Sequence, residues 1–142
     1  MKRMEILLPD DGVRAVATLL EDEAPKTCKA IWDALPITGE LIHGMLSGNE
    51  VLILLEGEAM VKVEPENQVF HVIPGDVAYF YSHYGDAKYW KDNPEYSEIV
   101  IIYGRYAQLR DLSGRQAAAN LFATITENLE VLAEACRRIR RE

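Results

Sequence analysis

The sequence predicts a mainly β domain of about eight strands and two helices, and three observations carry that expectation. The longest uninterrupted apolar runs are five residues, Val51 to Leu55, Val77 to Tyr81 and Ile99 to Tyr103. Apolar runs this short, set between polar and turn-forming residues, mark buried strands, since a bilayer-spanning helix needs roughly 20. Only two segments keep a helical phase, one near the N-terminus and one at the C-terminal end. The length of 142 residues suits a single domain spanning 1–142, and a chain of that size buries about 68% of its unfolded surface, enough for one core without disulfide staples.

Taken in order, residues 3–9 and 12–20 are β-rich runs separated by Asp10-Asp11-Gly12, which predicts an opening hairpin. Acidic Glu21-Asp22-Glu23 then meets Ala24-Pro25, and proline suits a first helical turn because the N–H it lacks would have no partner there. A helix over 24–35 follows, with Cys28, Ile31, Trp32 and Leu35 forming one apolar stripe, and Pro36 ends it. Residues 37–46 read as extended with both faces mixed. Ser47-Gly48-Asn49 makes a turn, 51–55 is a buried strand, and 59–63 alternates as a strand before the polar knot Glu64-Pro65-Glu66-Asn67-Gln68. Strands over 69–73, 77–81 and 98–103 come next. At the C-terminal end, Leu121, Ile125, Leu129, Leu132, Cys136 and Ile139 keep a helical phase, yet Thr124-Ile125-Thr126 is β-branched and costs helix propensity. The expectation is a last short strand at 121–125 and a helix from Thr126, whose hydroxyl caps it.

Composition excludes several functions. The chain carries 15 basic and 23 acidic residues, a net charge of −8, and four of its arginines crowd into positions 137, 138, 140 and 141. So acidic a surface disfavours nucleic acid and anionic membranes as partners, while the terminal arginines complement the negative end of a helix dipole. Cys28 and Cys136 stand far apart, with no CxxC or Cys/His cluster, and both fall on apolar stripes, so core packing in a reducing cytoplasm is expected. The apolar stretch at the N-terminus ends at Pro9-Asp10, too early for a secretory signal.

No dinucleotide fingerprint, Walker A loop, GxSxG elbow or HExxH motif is present. His43, His71 and His83 stand singly, so neither a metal nor a cofactor is expected. Seven of the twelve aromatic residues fall between Tyr79 and Tyr96, and so aromatic a loop either lids a pocket, folds onto its own barrel mouth or packs in a subunit interface. Tyr103-Gly104-Arg105 ends an apolar strand with a planar cation, and Tyr79 and Tyr81 share one face of another. An arginine beside tyrosines suits a small carboxylate or amide, because guanidinium binds carboxylate bidentately and the phenol adds a directional donor; an arginine paired with a surface acid is the plainer alternative. His43, on a mixed strand, is a core histidine or a pocket donor or general base.

Several blocks together resemble a known family. Ala24-Pro25-Lys26-Thr27-Cys28, Ile31 to Pro36, Gly39-Glu40, Ile42-His43 and Ser47-Gly48 are similar to the first half of a bacterial group of cyclophilin-like proteins of unknown function, DUF3830. Glu66-Asn67-Gln68, Pro74 to Val77, Glu98-Ile99, Tyr103-Gly104-Arg105, Asn120 and Phe122-Ala123 resemble its second half. The resemblance implies a closed β-barrel with two capping helices. It does not imply prolyl isomerase activity, because Phe70-His71-Val72 has valine where cyclophilins place a catalytic arginine. The expected ligand site comprises His43, Asn67, Tyr79, Tyr81, Tyr103, Arg105 and Asn120, binding a small carboxylate- or amide-bearing metabolite, with His43 the candidate proton carrier should there be catalysis. Two alternatives stand beside it: a homo-oligomeric interaction module that uses the aromatic loop 79–96, and a cupin-like small-molecule binder suggested by Glu56-Gly57-Glu58 and Val72 to Phe80. A homo-oligomer is expected.

Overall fold

The computed structural model describes residues 1–82, 96–111 and 114–139. Eight strands and two α-helices are formed among them: β1 (Arg3–Leu8), β2 (Val13–Leu19), α1 (Pro25–Ala34), β3 (Leu41–His43), β4 (Glu50–Glu56), β5 (Gln68–Val69), β6 (Asp76–Ser82), β7 (Tyr96–Ile102), β8 (Ala119–Glu127) and α2 (Leu129–Arg138). All pair antiparallel in one sheet of order β1-β2-β8-β6-β7-β4-β3, with β5 joined to β8.

The sheet curls but does not close. Its path ends at β1 and β3, so the expected closed barrel is corrected to a half-barrel among the described residues. The segment expected to supply a strand at 59–63 explains part of this. A single 3-10 turn, Gly57–Ala59, is followed by chain outside any strand, and Val61 is held by a side chain: its N–H donates to Tyr79 Oη at 3.0 Å and its carbonyl accepts from the same hydroxyl at 2.6 Å. Val61 and Val63 pack on the core while Lys62 faces out, so the period of two in this sequence reflects a chain that alternates onto the core without strand pairing.

Two apolar layers sandwich the sheet. On one face Val51, Val77, Tyr79, Ile101 and Phe122 pack with Cys28 and Ile31 of α1 and Leu132 and Cys136 of α2. On the other, Ala78, Val100, Ile102 and Ala119 pack with Leu109. The expected apolar stripes of both helices are therefore the buried ones. Both thiols are buried, and burial pushes Cys28 up to about 11 and Cys136 up to about 12.

The junction before α2 differs from expectation. β8 runs through Thr126 to Glu127, because the β-branched triplet pairs with β2 and Thr126 Oγ1 meets Thr18 Oγ1 at 3.0 Å. Asn128, not Thr126, makes the turn into the helix. Its φ of +64° is left-handed, a region asparagine tolerates, and its Nδ2 donates to the Arg14 carbonyl at 2.8 Å. Arg137 and Arg138 fall in the last turn, as the dipole argument requires, and both pair with Glu134.

Candidate functional site

The seven sequence-predicted residues do not meet in one place. Asn120, Asn67 and Tyr79 are committed to holding chain segments. Asn120 is 3% exposed; its Oδ1 accepts from Glu66 N–H at 3.1 Å, and its Nδ2 donates to Glu64 O at 3.0 Å and Thr27 Oγ1 at 3.1 Å. Asn67, at a left-handed φ of +47°, donates to the Leu121 carbonyl at 2.9 Å. Tyr79 fastens Val61, and burial raises its phenol above the ordinary range against the opposing effect of hydrogen bonds to Ser97 and Val61. Tyr81 packs partly buried against the core. Of the aromatic loop, Tyr84, Tyr89 and Trp90 lie outside the described residues, as does His83.

Glu66 completes this corner, and it was missed as a functional position. α1 has no side-chain cap of its own. Glu66 supplies one from across the fold, accepting from Lys26 N–H at 3.1 Å, Thr27 N–H at 2.8 Å and Thr27 Oγ1 at 2.8 Å. Desolvation pushes its carboxyl up, but these donors and the Lys26 charge outweigh it, and the net shift is downward. The acidic residues 21–23 stand outside the first turn, which contains no acid.

His43, Tyr103 and Arg105 do converge, at the corner where β3 turns into β4 and β7 ends. Cross-strand register explains the meeting: His43 lies opposite Val51 and Val51 opposite Ile101, so His43 shares the helix-side face with the chain leading to Tyr103. His43 Nδ1 is 2.8 Å from the Gly44 carbonyl, which can only accept, so Nδ1 carries a proton, and Nε2 lies 2.6 Å from Tyr103 Oη. The rings meet edge-on at 5.6 Å. Both are buried, at 4% and 3% exposure. Tyr103 Oη also lies 3.4 Å from Asn49 Oδ1, and Asn49 Nδ2 donates to the Arg105 carbonyl at 2.6 Å. Polar contacts thus run from His43 to the backbone of Arg105, with the single Tyr103 hydroxyl proton shared between the His43 and Asn49 acceptors. Asn49, unremarked in the sequence except as a turn residue, is their connecting link.

The same corner is closely fitted in its backbone. Gly48 has φ +82°, and a Cβ there would collide with the Tyr106 carbonyl oxygen. Tyr106 itself sits at φ +65° and is 88% exposed, and Met45 and Leu46 are exposed as well. Arg105 is exposed too. Among the described residues, Arg3, Arg14, Arg110, Arg115, Arg137 and Arg138 are engaged by carboxylates or other partners, whereas the Arg105 guanidinium engages none.

On the opposite face of β4 and β7 lie two acids that sequence reading passed over. Glu50 is 4% exposed; burial pushes its carboxyl up to about 7, against a hydrogen bond to Ser47 that pulls it down. Glu98 is likewise raised to about 7, by burial and then by the Glu50 charge. Among the described residues no group of three His, Cys, Asp or Glu side chains could hold a metal ion, and no helix is long and apolar enough to cross a membrane.

Comparison with known families decides the relationship. Residues 6–142 match the family described as "protein of unknown function (DUF3830)". The chain belongs to DUF3830. The match spans nearly the whole chain, so the DUF3830 unit includes both helices, all of the sheet but the first three residues of β1, and both polar corners. A search of curated proteins finds no match.

Proposed function

We propose that this DUF3830 chain is a small-molecule-binding protein on a cyclophilin-like half-barrel, without prolyl isomerase activity, and that it takes a carboxylate- or amide-bearing metabolite at the β3–β4 corner. The observation that carries the reading is the unengaged Arg105 guanidinium in a chain with 23 acids. Its backbone is fixed by Asn49, and its neighbour Tyr106 offers an exposed ring. An arginine held this way is pre-organised for a carboxylate, which it can grip through two parallel N–H donors. His43 and Tyr103 form the buried floor that sets the Asn49 amide; Asn67, Tyr79 and Asn120 lie outside the site because their polar atoms are spent on structure. The thiols are held protonated by burial and offer no nucleophile, so the reading is binding rather than covalent catalysis. Valine at position 72 supports the absence of isomerase chemistry.

The test is a thermal-shift and calorimetric screen against small carboxylates and amides, since a ligand at 100 times its dissociation constant adds about 2.7 kcal/mol of stability. Arg105→Met abolishes the response to carboxylates; unchanged affinity in that variant ends the assignment of the corner.

A second reading has its own observation. Met45, Leu46 and Tyr106 are exposed beside the edge strand β3, where Ile42 is also exposed, and an apolar patch at a sheet edge suits self-association. Light scattering decides it: an oligomer that dissociates on replacing Met45 and Tyr106 with lysine supports this reading, and a monomer removes it.

A further inference from the structure

A concavity lies at the far end of β4 from Arg105. It is an open cleft of about 580 Å³ between the C-terminal half of α1, the turn after Pro36 and the 58–61 segment, and Leu55 is among the residues that line it. That volume is within the range of small-ligand sites. Glu50 begins β4 beside the Arg105 corner and Leu55 stands near its other end, a separation of roughly 17 Å at the usual strand rise.

We propose that this cleft binds a small cation with an apolar body, an alkyl- or arylammonium, independently of the anion corner. The charges of the lining, led by Glu58, favour a cation. Asp33 and Glu58 both line the cleft and no lysine, arginine or histidine does. The last turn of α1 contains no basic residue of its own, and Lys2 approaches it from outside the helix, its Nζ 5.1 Å from the Trp32 ring centroid. Asp33 is paired with Lys29 at 2.6 Å, one turn back along the helix, whereas the Glu58 carboxylate is exposed and engages no cation among the described residues.

The remaining lining sets the shape of the guest. Ala34, Ile37, Leu55 and Met60 are apolar, and Met60 adapts to irregular shapes because its chain is unbranched. The wall is firm where it matters, since Tyr79 grips both the N–H and the carbonyl of Val61. An ammonium group at Glu58 with its hydrocarbon over Leu55 uses both parts of the cleft, while a carboxylate guest meets like charge there.

The experiment compares three six-carbon probes of nearly equal shape, n-hexylammonium, 1-hexanol and hexanoate, by ligand-observed NMR titration of the full chain. The expected order is hexylammonium, then hexanol, then hexanoate, with about fivefold between the first two, the scale of one exposed charge pair. Glu58→Gln brings hexylammonium down to the affinity of hexanol and leaves hexanol unchanged. Ala34→Phe, on an exposed helix position, occupies the cleft and weakens both. Arg105→Met leaves hexylammonium binding intact, so failure of the anion corner and failure of the cleft are read separately. Absence of hexylammonium binding, hexanoate binding as tightly, or a preference that survives Glu58→Gln overturns the proposal.

Discussion

Asn120 and Asn49 each hold a neighbouring segment by its backbone, yet the corners they serve are finished differently. Around Asn120, the amide, Glu66 and Thr27 engage one another and the N-terminal N–H groups of α1, and the cluster is spent on fastening the 64–67 segment to the helix. Around Asn49, the contacts from His43 through Tyr103 end at the carbonyl of Arg105, and the guanidinium beyond it is left to solvent beside an exposed aromatic ring. Burial of polar groups marks function poorly here. What separates the two corners is whether the last charged group in the network has already found its partner.

The sharpest way to break the comparison is Asn120→Ala. It removes three hydrogen bonds in a buried setting and should cost about 4 kcal/mol, read as a fall in the urea midpoint at unchanged slope. The next largest effect is a pH dependence of opposite sign at the two corners. Glu50 rises from its ordinary 4.5 to about 7 in the fold, so between those values the folded state holds a proton that the unfolded chain has released. Stability therefore falls as pH rises through that window, by about 3 kcal/mol in all. Glu50→Gln removes this loss: thermal melts of variant and wild type coincide near pH 4, and the variant is the more stable near pH 8. Glu66, lowered in the fold, works the other way, and its contribution is lost as pH falls through its depressed range. Tyr103→Phe, which deprives His43 Nε2 of its partner, should cost about 1.5 kcal/mol in chemical denaturation. Smallest of all is Arg105→Met, expected to change stability by under about 0.5 kcal/mol, because nothing described in the fold depends on that side chain. A large loss from this last variant would make Arg105 a structural residue and erase the distinction between the corners.

Much of the scaffold was legible because single residues declare it. The five-residue apolar runs became β4, β6 and β7, the stripe through Cys28 and Ile31 became the buried face of α1, and Pro25 and Pro36 bracketed that helix. The segment after Gly57 misled because alternation reports which side chains face inward and says nothing of whether the backbone is paired; Val61 is held by a phenol instead of a ladder. Closure was expected from family resemblance, and the open path from β1 to β3 corrects it. The site was legible only as far as neighbours in sequence could indicate it. Tyr103 and Arg105 stood together, but Asn67 and Asn120 looked like ligand groups because their true partners, mostly main-chain atoms, are 54 to 93 residues away. Glu50 and Glu98 drew no attention in the sequence, since nothing in an acid flanking an apolar strand announces that it is buried.

β8 is the only described strand joining β2 to β6. Until residues 119–127 are available, the sheet exists as two unconnected pieces, the β1–β2 hairpin and the β6-β7-β4-β3 ribbon. During vectorial synthesis the β1–β2 hairpin therefore waits with an unpaired edge, and the ribbon, complete only once β7 has been made, presents a second such edge until β8 follows. Their union waits for β8, the last of the eight described strands in chain order, rather than for how quickly the earlier strands find one another.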